Sequence, residues 1–175
     1  RVPRMFYDYA DAGSWTERTY RANEADLQAI QLRQRVAVNM ENRSTATRMV
    51  GVQVKMPVCI APVGLTGMQS ADGEIKAARA AEKFGVPFTL STMSICSIED
   101  IAEHTQAPFW FQLYVMRDRG FIERLIDRAK AAIAAAAGVP LSDAFVQNPA
   151  TLLDRQTAAS ANATTMLAWQ GNRAV

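Results

Sequence analysis

Three short clusters in this chain carry polar groups suited to holding an organic ligand. Ala61-Pro62-Val63-Gly64 is a run of small residues through which backbone can approach a flat molecule. Ser91-Thr92 brings two hydroxyls together, and Gln112 stands two residues before Tyr114. On a strand that spacing turns both side chains to one side of the sheet. A backbone cradle, a hydroxyl, an amide and a phenol make a polar lining for a ring system with several donors and acceptors. Spacing alone leaves a plainer reading open, in which Ser91 and Gln112 only satisfy strand-end backbone groups.

Other chemistries are bounded by what the sequence lacks. One histidine, His104, excludes most histidine-dependent metal and acid–base work by this chain alone, and its polar setting, Glu103-His104-Thr105-Gln106, reads as surface. Cys59 and Cys96 give neither a disulfide framework nor paired zinc-ligand spacing, so no metal site is expected and a reducing compartment is the default. Val63-Gly64-Leu65-Thr66-Gly67 lacks the third glycine of a dinucleotide fingerprint. A net charge of +2, from 19 basic and 17 acidic residues, creates no field that would favour nucleic acid. No apolar run approaches the ~20 residues that span a bilayer.

The elements that must position the three clusters follow from periodicity. With 175 residues, 49% of them apolar, the chain suits one domain of ordinary size. Residues 1 to about 55 form a polar, Arg-rich lead-in with a helical patch from Glu24 to Arg35. Met56 to Pro62 reads as a first strand buried on both faces, and Phe88-Thr89-Leu90 as a second. Pro108 to Tyr114 reads as a third, strongly aromatic strand, with Trp110 in the core. Between and after them lie three helices. The first opens at Asp72-Gly73-Glu74, sets Ala77, Ala81 and Phe84 on one face, and stops at Gly85. The second starts at the capping-box-like Ser97-Ile98-Glu99-Asp100. The third runs from Asp118 to Gly138 with Phe121, Leu125, Ala129 and Ile133 inward, its start preceded by the solvated Arg117-Asp118-Arg119. Alternating strands and helices imply α/β architecture with parallel pairing, and place the three clusters at strand C-terminal ends, where such folds bind ligands. Residues 139–175 show no clear strand run, and Ser160 to Thr165 reads as polar coil.

Four motifs in register now resemble one family. Val2-Pro3-Arg4-Met5-Phe6-Tyr7-Asp8-Tyr9, Ala61-Pro62-Val63-Gly64, Thr89-Leu90-Ser91-Thr92 and Phe111-Gln112-Leu113-Tyr114 are similar to the FMN-dependent α-hydroxy-acid dehydrogenases and oxidases. FQLYVMRDRG (residues 111–120) and PFTLSTMS (87–94) look closest to the bacterial L-lactate members. The resemblance implies a (β/α)8 TIM barrel with FMN at its C-terminal mouth, oxidising L-lactate or a related L-2-hydroxy acid by hydride transfer to FMN. It implies cofactor contacts from Pro62, Val63, Gly64, Ser91 and Gln112. It implies that Tyr9 holds the substrate carboxylate, that Tyr114 reaches the substrate hydroxyl region, and that Met93 shapes the substrate side-chain pocket. The implied partners are a small 2-hydroxy acid and a quinone or other electron acceptor. A homo-oligomer in the cytoplasm, peripheral to the inner membrane by kinship, is implied as well.

The resemblance covers residues 1–132, giving the lead-in and about three β/α units; residues 133–175 read as a non-matching, partly disordered polar tail. The histidine base, arginine pair and lysine that the family needs belong to later segments, so no catalytic residue is expected here. Arg1 at the start is read as lying inside a longer frame, and the switch after residue 132 as a truncation, frame change or fusion scar. The chain is therefore expected to be inactive alone. The alternative is a non-catalytic fragment that binds flavin weakly or associates through an exposed edge of its aromatic third strand.

Overall fold

Pro3 opens the first helix, Arg4–Asp11 (α1), with the fixed φ that suits a helix start. A second helix, Arg18–Ala29 (α2), follows after Gly13, where any Cβ would come within 2.7 Å of the Tyr20 Cβ. Neither helix buries a residue. Both belong to a first unit, Arg1–Ser44; the second unit is Thr45–Val175. The helical patch expected at 24–35 therefore starts earlier and ends at Ala29. Beyond it Leu32 and Val36 lie exposed, so their burial cannot support a further turn. The computed structural model describes residues 2–138 and the backbone of 164–167.

The second unit opens with an antiparallel hairpin, Thr47–Met49 (β1) and Val52–Val54 (β2). Its two-residue turn puts Val50 at φ 47° and Gly51 at φ 80°, the positive pair that a tight hairpin twist demands. Then come a single helical turn, Thr66–Gln69 (α3), and the helix Gly73–Phe84 (α4). Strand Thr89–Ser91 (β3), helix Ile98–His104 (α5), strand Trp110–Tyr114 (β4) and helix Arg119–Ala137 (α6) follow in order. Strand Thr164–Leu167 (β5) is the last described element.

The helix limits are set locally, as the sequence predicts. Ser97 and Asp100 exchange side-chain and backbone hydrogen bonds at the start of α5, at 3.0 and 2.8 Å. Asp118 accepts from the Phe121 N–H at 3.0 Å to start α6. Gly85 and Gly138, at φ 86° and 62°, end α4 and α6 in the left-handed conformation. Because α6 runs unbroken through residue 132, the boundary drawn there from the resemblance falls inside a helix.

The buried stripes are rotated from those the periodicity suggests. On α4 the inward residues are Glu74, Ala78 and Ala81, while Phe84 is 55% exposed. On α6 Leu125, Ala129 and Ile133 are inward as expected, joined by Ile122 and Ile126, but Phe121 turns out.

The parallel part of the sheet follows chain order, as the α/β pattern implies. Residue Ile60 bridges Phe88 in parallel, β3 pairs β4 in parallel, and each segment lies beside the next in chain order. That unreversed succession is what the first β/α units of a (β/α)8 barrel show, and one half of an open doubly wound sheet shows it equally.

Two expectations are corrected. The first strand, 56–62, contracts to the bridge at Ile60, whose N–H donates to Pro87 at 2.8 Å and whose carbonyl accepts from Thr89 at 3.1 Å. Pro57 and Pro62 have no N–H to extend a ladder, and Val58 is 47% exposed, not buried. Nor is β4 a sheet edge: β5 pairs with it antiparallel, Gln112 opposite Met166, within a stretch read as coil. Thr-Thr-Met-Leu has strand propensity, and an unpaired row of backbone groups on β4 supplies the partner. Association through an exposed β4 edge is thereby removed. The other expectations for the tail fall outside the described residues.

Candidate functional site

Alternation along β3 and β4 sorts their residues into two faces. Leu90, Phe111 and Leu113 join Ile101, Ile122, Ile126 and Ala129 in the core beneath the helices. Parallel register puts Thr89 beside Trp110 and Ser91 beside Gln112 on the other face, and all four are buried. Trp110 is thus inside, but on the polar face and not in the helix-side core.

Ser91 and Gln112 are bonded to each other. The Ser91 hydroxyl donates to Gln112 Oε1 at 3.2 Å, and the Thr92 N–H reaches the same oxygen at 3.3 Å. A backbone N–H can only donate, so the atom facing it must be the oxygen and the amide orientation is fixed. Its Nε2 therefore points away, buried and without a hydrogen-bond partner among the described residues; Thr89 Oγ1 shares that condition. A buried amide donor left unmatched costs of order 1–3 kcal/mol, which makes it a ready contact for a ligand acceptor. The plainer reading of Ser91 is partly right, since its oxygen also accepts from the Met93 N–H at 3.1 Å.

The loop carrying Pro62, Val63 and Gly64 runs beside this pair. Leu65 donates to the Met93 carbonyl at 3.0 Å, and a Cβ on Gly64 would stand 3.2 Å from the Met93 Cβ and 3.8 Å from Ser91 Oγ. Glycine therefore lets the 62–64 loop pack this close to Met93 and Ser91. Tyr114 ends β4 on the face of Gln112, 43% exposed, with its N–H donated to Thr92 Oγ1 at 3.1 Å. Met93 is half exposed at the same loop. Five predicted cofactor residues and Tyr114 thus fall in one unit at strand ends; Tyr9 lies on α1 of the first unit, exposed.

The set is uncharged. It suits a ring with several hydrogen-bonding atoms, and offers no cation for a phosphate. FMN's ring fits these residues through the unmatched Gln112 donor, a buried amide N–H with no acceptor among the described residues. Among the described residues no cluster of acids, cysteines or histidine could hold a metal ion. His104 lies exposed on α5, its Nδ1 2.8 Å from the Asp100 carbonyl oxygen, as its polar surroundings suggest.

One residue of the site escaped the sequence. Glu74 is buried in the first turn of α4, where its Oε1 accepts from Gly67 at 3.1 Å and from Ile95 at 3.0 Å. The Cys96 thiol donates to its Oε2 at 3.3 Å. Burial pushes the carboxyl upward, but the N–H groups of Ile95, of Glu74 itself and of Gly67, with the thiol, together hold it below its ordinary value. Asp72-Gly73-Glu74 reads as a plain helix start, and no local signal names the distant donors.

A folded-state value held below the unfolded one stabilises the fold above pH ~4.5 and stops doing so as pH falls through the folded value. Between pH 6 and pH 3 the wild type should accordingly lose part of its urea-midpoint advantage over Glu74→Ala and converge on Glu74→Gln, which mimics the protonated form. A gap that stays constant with pH would contradict this.

The family model described as FMN-dependent dehydrogenase matches residues 1–169, beyond the 1–132 covered by the motif resemblance. The L-lactate dehydrogenase of Stenotrophomonas maltophilia is 52% identical over 132 residues, 75% of this chain and 35% of that protein. That of Vibrio parahaemolyticus is 49% identical over the same share. The chain spans about a third of the length of the curated relatives it matches. Among solved structures, a soluble mutant of the membrane-associated (S)-mandelate dehydrogenase from Pseudomonas putida superposes with TM-score 0.70 at 36% identity. That match covers 75% of this chain and 38% of the other.

Proposed function

Because the chain belongs to the FMN-dependent dehydrogenase family, we propose that Pro62, Val63, Gly64, Ser91 and Gln112 hold the flavin ring of FMN. The protein they serve oxidises an L-2-hydroxy acid to the 2-oxo acid. The buried, unmatched Nε2 of Gln112 carries this reading. L-Lactate is the favoured substrate, supported by 52% identity to a lactate dehydrogenase against 36% to a mandelate dehydrogenase.

When bound, FMN supplies the acceptor for the hydride leaving the substrate's C2 carbon. Ser91 and Thr92 orient Gln112 so that its amide donates to a ring acceptor. The 62–64 backbone lies against the ring, with Gly64 letting that loop pack against Met93. Tyr114 serves the substrate hydroxyl region, Tyr9 the carboxylate, and Met93 limits the side-chain pocket. The uncharged lining leaves the FMN phosphate to other residues.

His104, tied to the Asp100 carbonyl on α5, is not the base that takes the hydroxyl proton. These 175 residues alone bind flavin without turning over the acid. Kinship extends the proposal to a quinone-type electron acceptor, homo-oligomers, and a cytoplasmic position at the inner membrane. No helix among the described residues is long and apolar enough to cross a membrane.

Titrating FMN into the purified chain tests the reading. Saturable quenching of flavin fluorescence is the expected result, and its absence would overturn flavin binding. Adding L-lactate anaerobically to the loaded chain should leave the visible absorption band of the oxidised flavin unbleached. Bleaching would overturn the absence of a base.

A further inference from the structure

We infer that Glu74 is a positioning residue that sets the spacing between the two loops of the flavin platform, resting on the flavin reading above. The first loop leads from Pro62-Val63-Gly64 to Gly67, and the second leads from Ser91-Thr92-Met93 to Cys96. One carboxylate oxygen accepts from a backbone N–H of each, Gly67 at 3.1 Å and Ile95 at 3.0 Å. The other oxygen takes the Cys96 thiol at 3.3 Å.

Packing makes the clamp specific to these loops. A Cβ on Gly67 would fall 2.7 Å from the Ile95 Cβ, so glycine is required for the loops to approach as closely as the shared carboxylate draws them. A Cβ on Gly73, one residue before Glu74, would meet the Thr66 backbone carbonyl oxygen at 2.8 Å, which seats the start of α4 directly on the first loop. Between the clamp and the flavin residues lies one cross-loop bond, from the Leu65 N–H to the Met93 carbonyl at 3.0 Å. Glu74 does not touch that bond. Whatever fixes Gly67 against Ile95 fixes Gly64 against Ser91 through it.

Both loop N–H groups converge on one oxygen, so hydrogen-bond acceptance at Oε1 does the positioning. Glutamine keeps that acceptor and alanine removes it. In Glu74→Ala two part-buried N–H groups lose their partner, and the loops separate or admit water.

Amide hydrogen exchange on the full chain reads this without any flavin. In Glu74→Ala, exchange should quicken at least tenfold at Leu65, whose N–H is bonded to Met93 and not to residue 74, as well as at Gly67 and Ile95. Glu74→Gln should restore most of the protection. Glu99→Gln, altering only the surface pair with Arg128, should leave all three sites unchanged. Leu65 protection unchanged in Glu74→Ala, or lost equally in Glu74→Gln, would overturn the inference. FMN affinity is the second readout, falling about tenfold in Glu74→Ala and recovering in Glu74→Gln. Wild-type chain that binds no FMN overturns the flavin reading, while the exchange pattern still decides the clamp.

Discussion

Gln112→Leu should weaken FMN binding by roughly 5- to 150-fold, the equivalent of losing one buried hydrogen bond at ~1–3 kcal/mol. Leucine fills a similar volume but cannot donate, so the unmatched Nε2 of Gln112 vanishes while the strand remains. Ser91→Ala provides the contrast. Its hydroxyl spends its proton on Gln112 Oε1, so its loss frees the amide to rotate and weakens binding through Gln112. The double variant should therefore be less damaged than the two single losses added together. Fluorescence titration of the three variants measures this. Equal FMN affinity in wild type and Gln112→Leu would remove Gln112 from the flavin site, and strict additivity would mean that Ser91 acts independently.

Phe111→Ala should cost about 3–5 kcal/mol, as for other fully buried aromatic rings. Phe111 is 1% exposed and projects from the central strand β4 into the core beneath the helices, one position from Gln112 on the opposite face. For a unit of this size, that loss lowers Tm by at least about 10 °C. The comparison variant is Phe84→Ala. The sequence periodicity places Phe84 on the buried stripe of α4, yet the side chain is 55% exposed, and its loss should cost under ~1 kcal/mol. Thermal unfolding followed by circular dichroism distinguishes the two positions. Similar Tm losses in both would mean that the helix-side core is not where the burial pattern puts it.

The two variants also show why one side of β4 was easier to read than the other. Trp110 to Tyr114 alternates apolar and polar residues only at Gln112, so the strand looks buried throughout. Pairing with β3 in register Ser91–Gln112 separates a helix-facing row from a ligand-facing row. The motif resemblance implied Ser91 and Gln112 only as cofactor contacts. Their mutual hydrogen bond, and the donor left over by it, required the register.

Sequence alone determined the features whose causes are local. The capping box at Ser97–Asp100, the Asp118 cap and the glycine stops at 85 and 138 each act within one helical turn, and each appears where the residues predict it. The order of strands and helices and the family motifs were legible for the same reason, being written in consecutive residues. Tertiary structure decided what depends on distant partners. It reduced 56–62 to one bridge, gave β4 an antiparallel neighbour, and turned Phe84 outward. It also closed Glu74 onto N–H groups 7 and 21 residues away. A buried carboxylate can be stabilised only by the donors that folding brings to it, and no stretch of sequence around residue 74 contains them.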